Sequence, residues 1–131
     1  MEHTSNYELS KWAETDRIQM TDFNMDHDKI DAALAGGLKI ATGSYVGTGT
    51  YGKQNPNTLT FNAKPIVVLI SGPLTMIALQ GSSNGALNGG ASAAVSWQGN
   101  SISWYSVQSV INHLNDTGTT YYYAALLQAN T

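Results

Sequence analysis

Three groupings in the sequence have residue types and spacings suited to chemistry: Asp26-His27-Asp28, His113 with Asp116, and Gly47-Thr48-Gly49-Thr50-Tyr51-Gly52. The first would be a metal cluster, but successive positions on a helix point about 100° apart and cannot converge on one ion. The glycine run matches the G-x-G-x-x-G that cradles a pyrophosphate where a strand hands over to a helix. Here Lys53-Gln54-Asn55-Pro56-Asn57 follows, then a strand pattern, so the run reads as a glycine-rich β-loop. His113 lies near Asp116, where a polar turn and a ligand contact are both open. No metal and no cofactor is expected.

Enzyme chemistry finds few parts. Glycoside hydrolysis uses two carboxylates flanking the bond, one of raised pKa, whereas everything after residue 39 holds Asp116 alone. Acyl transfer is not expected either, for want of a cysteine and of a nucleophile elbow. Asn115-Asp116-Thr117 spells a glycosylation sequon and reads as a turn. The chain is therefore expected not to be an enzyme.

Charge divides the chain in two. Of 15 charged residues, 12 fall in residues 1 to 39, which carry 4 minus 8, or −4; the other 92 residues carry 2 minus 1, or +1. Two lysines in 92 residues cannot neutralise a phosphate backbone, so nucleic acid is excluded as a partner. The longest apolar run, Pro65 to Leu79, is 15 residues interrupted by Gly72 and Pro73, short of the roughly 18 that span a bilayer. Met1 to Asn24 is polar, so no secretion signal is expected there and no membrane insertion follows.

The elements that position these residues follow from the same split. A helical leader is expected over 1–38, with one short helical signal at Leu9 to Arg17 and a second from Asp22 to Ala35. Thr21 is placed as its N-cap, Asp22 in its first turn, and Gly36-Gly37 as its stop. Phe23, His27, Ile30 and Leu34 recur at spacings of 4, 3 and 4, a short heptad seam that must be buried, either on the chain's own β domain or against copies of itself around a symmetry axis, and self-association is favoured. From 39 to 131 a β domain is expected. Thr, Ser, Asn, Gln and Gly supply 45 of its last 92 residues, with strands near 39–46, 57–63, 65–71, 74–80, 92–98, 101–107 and 119–128. Gln80 to Ala91, with four glycines, reads as a flexible loop, and Gly99-Asn100 as a hairpin turn. Ile66 to Ile70 and Tyr121 to Leu127 are apolar on both faces, so something outside a sandwich must cover them; another subunit is the simplest cover.

The residues also carry a resemblance. Asn6-Tyr7-Glu8-Leu9-Ser10-Lys11-Trp12, Asp16-Arg17-Ile18, Asp22-Phe23-Asn24 and Ile30 to Leu34 resemble the leader before small domains at the ends of phage and prophage tail-fibre and tail structural proteins. Ile40 to Tyr45, Gly47 to Gly52, Asn57 to Phe61, Lys64-Pro65, Trp97, Ile102 to Tyr105, Leu114-Asn115 and Gly118 to Ala124 continue it over nearly the whole chain. Such domains are similar to the H-type lectin fold. The resemblance implies an all-β antiparallel sandwich of about six or seven strands, a homotrimer, a place in the virion tail with other tail proteins as partners, and binding of a host cell-surface glycan or protein receptor. The alternative is a structural tail protein that caps or decorates without binding. The charged and imidazole sugar contacts of animal H-type lectins have no match here, so that site is not carried over.

Aromatics among amides and hydroxyls suit a sugar, whose apolar ring face stacks while neutral donors meet its hydroxyls. If seven strands alternate direction, loops 46–56, 71–74 and 99–100 lie distal to the helix, and loops 81–91 and 108–118 lie near it. That count places Tyr51, Lys53, Asn55, Trp97 and Asn100 at the target-facing end as ligand-binding candidates.

Overall fold

The structure, a computed structural model, describes residues 1–129; residues 130 and 131, the end of the expected 39–131 domain, lie outside the described residues. The chain divides into two compact units, Met1–Gly37 and Leu38–Gln128.

The first unit is a small hairpin and one helix. β1 (Glu2–His3) pairs antiparallel with β2 (Ser10–Lys11), opposing Glu2 to Lys11 and His3 to Ser10. The expected helix at Leu9 to Arg17 does not form. An isolated stretch of that length cannot repay helix nucleation, and local side chains offer the backbone another set of partners. Thr4 Oγ1 accepts the Leu9 N–H at 2.9 Å, and Asp16 Oδ2 accepts the Ala13 N–H at 2.7 Å, closing turns instead. The helix α1 (Met20–Ala35) begins two residues before the expected Asp22. Gln19, extended and without a side-chain cap bond, is the N-cap, and Thr21 already lies inside the helix. Asp22 sits in the first turn, and Gly36 ends the helix with its N–H on Ala32 O.

α1 touches the hairpin through polar groups. Asp26 Oδ1 accepts from the Ser10 N–H at 3.0 Å and from Ser10 Oγ at 3.1 Å, while Lys29 Nζ donates to Glu8 O at 2.6 Å. Trp12 stacks on Phe23 with ring centroids 5.5 Å apart. No residue of α1 is buried.

The second unit is one eight-stranded antiparallel sheet in the order β3-β10-β5-β6-β7-β8-β9-β4. Its strands are β3 (Lys39–Val46), β4 (Asn57–Thr60), β5 (Pro65–Ser71), β6 (Thr75–Leu79), β7 (Asn84–Leu87), β8 (Ser92–Gln98), β9 (Ser101–Tyr105) and β10 (Thr120–Leu127). The sheet curls so that its two halves face each other. Tyr45 on β3 approaches Trp104 on β9 at 6.1 Å, and Phe61 after β4 meets Tyr123 on β10 edge-on at 6.0 Å. Alternation puts Val68, Ile70, Met76, Ala78, Val95, Ile102, Trp104, Tyr121, Ala125 and Leu127 into one core.

β7 corrects the expected loop over Gln80 to Ala91. Asn84–Leu87 pairs with β6 through Met76–Leu87 and Ile77–Ala86, and with β8 through Gly85–Ala93. Its inward positions are Gly85 and Leu87. Gly85 is required because a Cβ there would run into Met76 and the Val95 side chain. A strand built from Asn, Gly and Ala has the right alternation in burial but not in hydropathy.

The extra strand reverses the direction of all that follow. The loops after β3 (47–56), β5 (72–74), β7 (88–91) and β9 (106–119) gather at the Val46 end of the sheet. Loops 61–64, 80–83 and 99–100 gather at the Lys39 end.

Candidate functional site

At the Val46 end the long segment after β9 is anchored from inside. His113 is fully buried, and its Nδ1 accepts the Ser106 N–H at 2.9 Å. An accepting Nδ1 cannot carry a proton, so the neutral ring is protonated at Nε2. Burial pushes the His113 pKa below its ordinary value. The His113 carbonyl accepts from Trp104 Nε1 at 3.0 Å and from Asn57 Nδ2 at 3.0 Å. His113 is thus an internal strut rather than a residue of a polar surface turn, and its Nε2 has no hydrogen-bond partner among the described residues.

Leu114 adopts a left-handed φ of 56°, and its carbonyl accepts from Tyr45 Oη at 2.8 Å. Burial pushes the Tyr45 phenol far above its usual pKa, with neighbouring Tyr121, stacked at 5.0 Å, acting in the same direction. Asn115, also buried, spends its whole amide on the glycine-rich loop. Its Oδ1 accepts the Thr48 N–H at 3.0 Å, and its Nδ2 donates to Thr48 Oγ1 at 2.8 Å and Thr50 O at 2.9 Å. The sequon Asn115-Asp116-Thr117 is therefore structural, since no free amide remains for a glycan. Gly47 is pressed against the Asp116 backbone where a Cβ has no room, and Gly49 sits at φ 89°. The glycine motif thus serves close chain approach. After it come turns and β4, with no helix.

The five expected ligand residues are not brought together. Tyr51 (47% exposed), Lys53 and Asn55 lie on the 47–56 loop at the Val46 end. Asn55 Nδ2 donates to Tyr51 O at 3.3 Å, bracing the turn. Trp97 and Asn100 belong to the Lys39 end, because the strand hidden at 84–87 shifts the count by one. Trp97 also packs against the core and gives its indole N–H to Ser82 O at 2.8 Å. The expected loop 81–91 is split by β7, and 88–91 and 108–118 lie at the Val46 end of the sheet rather than the Lys39 end.

On α1, His27, Ile30 and Leu34 are exposed, Leu34 by 74%, and Phe23 is covered only in part by Trp12. The seam has no partner within the first unit's described residues. The letters G-x-S-x-G do occur, at Gly81-Ser82-Ser83-Asn84-Gly85, contrary to the expectation that no elbow pattern is present. They form a turn running into β7, with Ser82 Oγ donating to Asn84 O at 2.9 Å, so the strand-to-helix geometry of a nucleophile elbow is missing. No group of three or more His, Asp and Glu side chains able to hold a metal occurs among the described residues.

The two halves of the sheet have opposite outer faces. On β3-β10-β5-β6, register lines up Ile40, Leu126, Val67 and Leu79 in one row and Thr42, Ala124, Leu69 and Ile77 in the next. Tyr122, 64% exposed, stands beside them and helps line a hollow of about 470 Å³ with Leu69, Ile77 and Ala124. On β8-β9-β4 the outer positions are neutral and, Tyr105 and Gln98 apart, small. Ser103 and Ser101 pair with Thr58 and Thr60 through hydroxyl bonds of 2.8 Å each, with Ser96 and Gln98 alongside. Sequence reasoning found the two-faced apolar strands, but only the register assembles them into one patch. The alternation of Ser with Ile and Trp along Ser101–Trp104 marks one wet face, but only the register joins it to Thr58 and Thr60 as a hydroxyl face.

No helix is long and apolar enough to cross a membrane among the described residues. Comparison with family models, with curated proteins and with solved structures finds no match to this chain.

Proposed function

We propose that the chain is a homotrimeric recognition module of the phage tail-fibre type, in which the curled sheet acts as a two-layer, H-type-lectin-like sandwich that binds a neutral host-surface glycan or receptor. The observation that carries this reading is the contrast between the two outer faces. An apolar patch spanning four strands is costly to leave in water and is of the kind that mates with another protein surface. The opposite face exposes hydroxyls and amides without charge, the surface chemistry that meets sugar hydroxyls. The apolar helix seam gives the same subunits a second contact. Individually weak sites become useful when three copies engage one surface, because linked sites bind with an effective concentration. On this reading the module sits on the virion tail beside other tail proteins, and its work is adhesion rather than catalysis.

A structural role as a cap or decoration is the second reading, favoured by a specific observation. Tyr45, Trp97, Trp104, Tyr121 and Tyr123 all belong to the core or pack against it, leaving few aromatics for a ligand. A glycan array and a cell pull-down with the purified oligomer separate the two: retention on host envelope is expected, and no binding to any glycan or cell surface would leave only the structural role.

A further inference from the structure

A groove crosses the outer face at β7, β8 and β9. Asn84, Ala94 and Tyr105 lie in one row across the three strands, with Asn84 opposite Ala94 and Ala94 opposite Tyr105. Small Ala94 between two larger side chains leaves a notch of about 290 Å³, closed at the sides by Ser92 and by Ser106 to Gln108. The segment after Tyr105 is held in place, since Ser106 Oγ accepts the Gln108 N–H at 3.1 Å. Gln108 Oε1 accepts from Asn112 Nδ2 at 2.7 Å, which fixes the amide and leaves its own Nε2 hydrogens as donors.

We propose that this groove binds one neutral sugar ring, stacked on Tyr105 and hydrogen-bonded by Asn84, Ser92 and Gln108. The inference rests on the recognition reading above and names where and what the module recognises. Its chemistry follows from what lines the notch. Residues 84 to 112 contain no Asp, Glu, Lys, Arg or His. A phosphate, sulfate or carboxylate would arrive with no counter-charge and lose its hydration for nothing. A peptide strand has no backbone edge to join there, because β7, β8 and β9 are interior strands already paired on both sides. An apolar ligand would strip water from the Asn84 and Gln108 amides without replacing those bonds. A polyhydroxylated ring supplies both halves: hydroxyls for the amides and an apolar face for the half-exposed phenol ring. The notch lies at the small end of ligand pockets, which run from roughly 300 Å³, and so suits a single ring rather than an extended chain. The groove is also on the opposite half of the sheet from the apolar patch, so subunit association leaves it open.

The test is a titration of the isotope-labelled full chain, followed by amide chemical shifts, with galactose, glucose, mannose, N-acetylglucosamine and N-acetylgalactosamine, and with N-acetylneuraminic acid as the charged control. At least one neutral sugar is expected to move the amides of Asn84, Ala94, Tyr105 and Gln108. Asn84→Ala and Gln108→Ala should each weaken that binding about tenfold, the effect of losing one hydrogen-bonding group, at unchanged melting temperature and oligomer mass. Tyr105→Phe should keep most of the binding and Tyr105→Ala lose it. Shifts confined to the 47–56 loop would overturn the groove and leave the recognition reading standing, whereas shifts produced by the acidic sugar alone would overturn both the groove and the neutral character of the ligand. No shift with any sugar also overturns the groove; if host-cell adsorption is absent as well, the recognition reading falls with it.

Discussion

Asn115 grips Thr48 twice, accepting its N–H on Oδ1 at 3.0 Å and donating from Nδ2 to its hydroxyl at 2.8 Å. Through this pair the segment after β9 holds the glycine-rich loop that joins the two edge strands β3 and β4. Removing the amide leaves several polar groups without their partner, although Thr48 and Thr50, unlike buried Asn115, are exposed to water. Asn115→Ala is expected to destabilise the chain by about 1 to 3 kcal/mol, and Asn115→Asp by at least as much, since a carboxylate oxygen in place of Nδ2 would face the Thr50 carbonyl from a buried position. Urea denaturation measures both, and equal stability of wild type and Asn115→Ala would show that the loop is not anchored there.

His113 makes the fold sensitive to acid. Burial depresses its folded-state pKa below the unfolded value near 6.5. The unfolded chain therefore binds the proton first, and the stabilisation present above about pH 6.5 is lost as the pH falls toward the folded pKa, with a slope of up to about 1.4 kcal/mol per pH unit. His113→Gln, which keeps an acceptor for the Ser106 N–H, is expected to be less stable at pH 7.5 but to lose that slope between pH 6.5 and 5. An identical slope in the two proteins would assign the acid sensitivity to other groups.

The apolar patch predicts an assembly. Light scattering should report about three times 14.0 kDa for the wild type. Ile77→Glu places a charge on the β6 side of the patch, on an exposed residue outside the monomer core, and should yield a folded species of lower mass. A wild-type monomer would remove the reason for three copies.

Gly85 should tolerate no side chain. Its Cβ position is occupied by Met76 and the Val95 side chain, so Gly85→Val overpacks the sheet at a cost of about 1 to 3 kcal/mol. Gly89, in open space at φ 88°, has only backbone strain to resist substitution, and Gly89→Ala should cost about 1 kcal/mol. Thermal melts of the two variants give the order directly; a larger loss at Gly89 would mean that β7 is not packed as described.

Much of the fold is legible along the chain because strands with one wet face alternate in hydropathy. Ser101 to Trp104 announces itself this way, and the helix that stops at Gly36 by its own signals. β7 does not, because its inward glycine is chosen for its lack of volume against Met76, a relation invisible until β6 and β8 are laid beside it. That one strand decided where Trp97 and Asn100 stand, since parity carries an error forward to every later turn. The leader failed differently: Thr4 and Asp16 close turns with bonds that short-range helix signals do not weigh.

Composition and spacing alone settle the chain's chemical character: a charged, helix-bearing first part and a β part with few charges. They do so because charge, periodicity and glycine content are properties of residues and their near neighbours. The tertiary structure alone decides which residues share a surface. His113 becomes a buried strut, Asn115 a clamp on Thr48 67 residues away, and Asn84, Ala94 and Tyr105 one row, because tertiary contacts join distant positions and no local pattern encodes them.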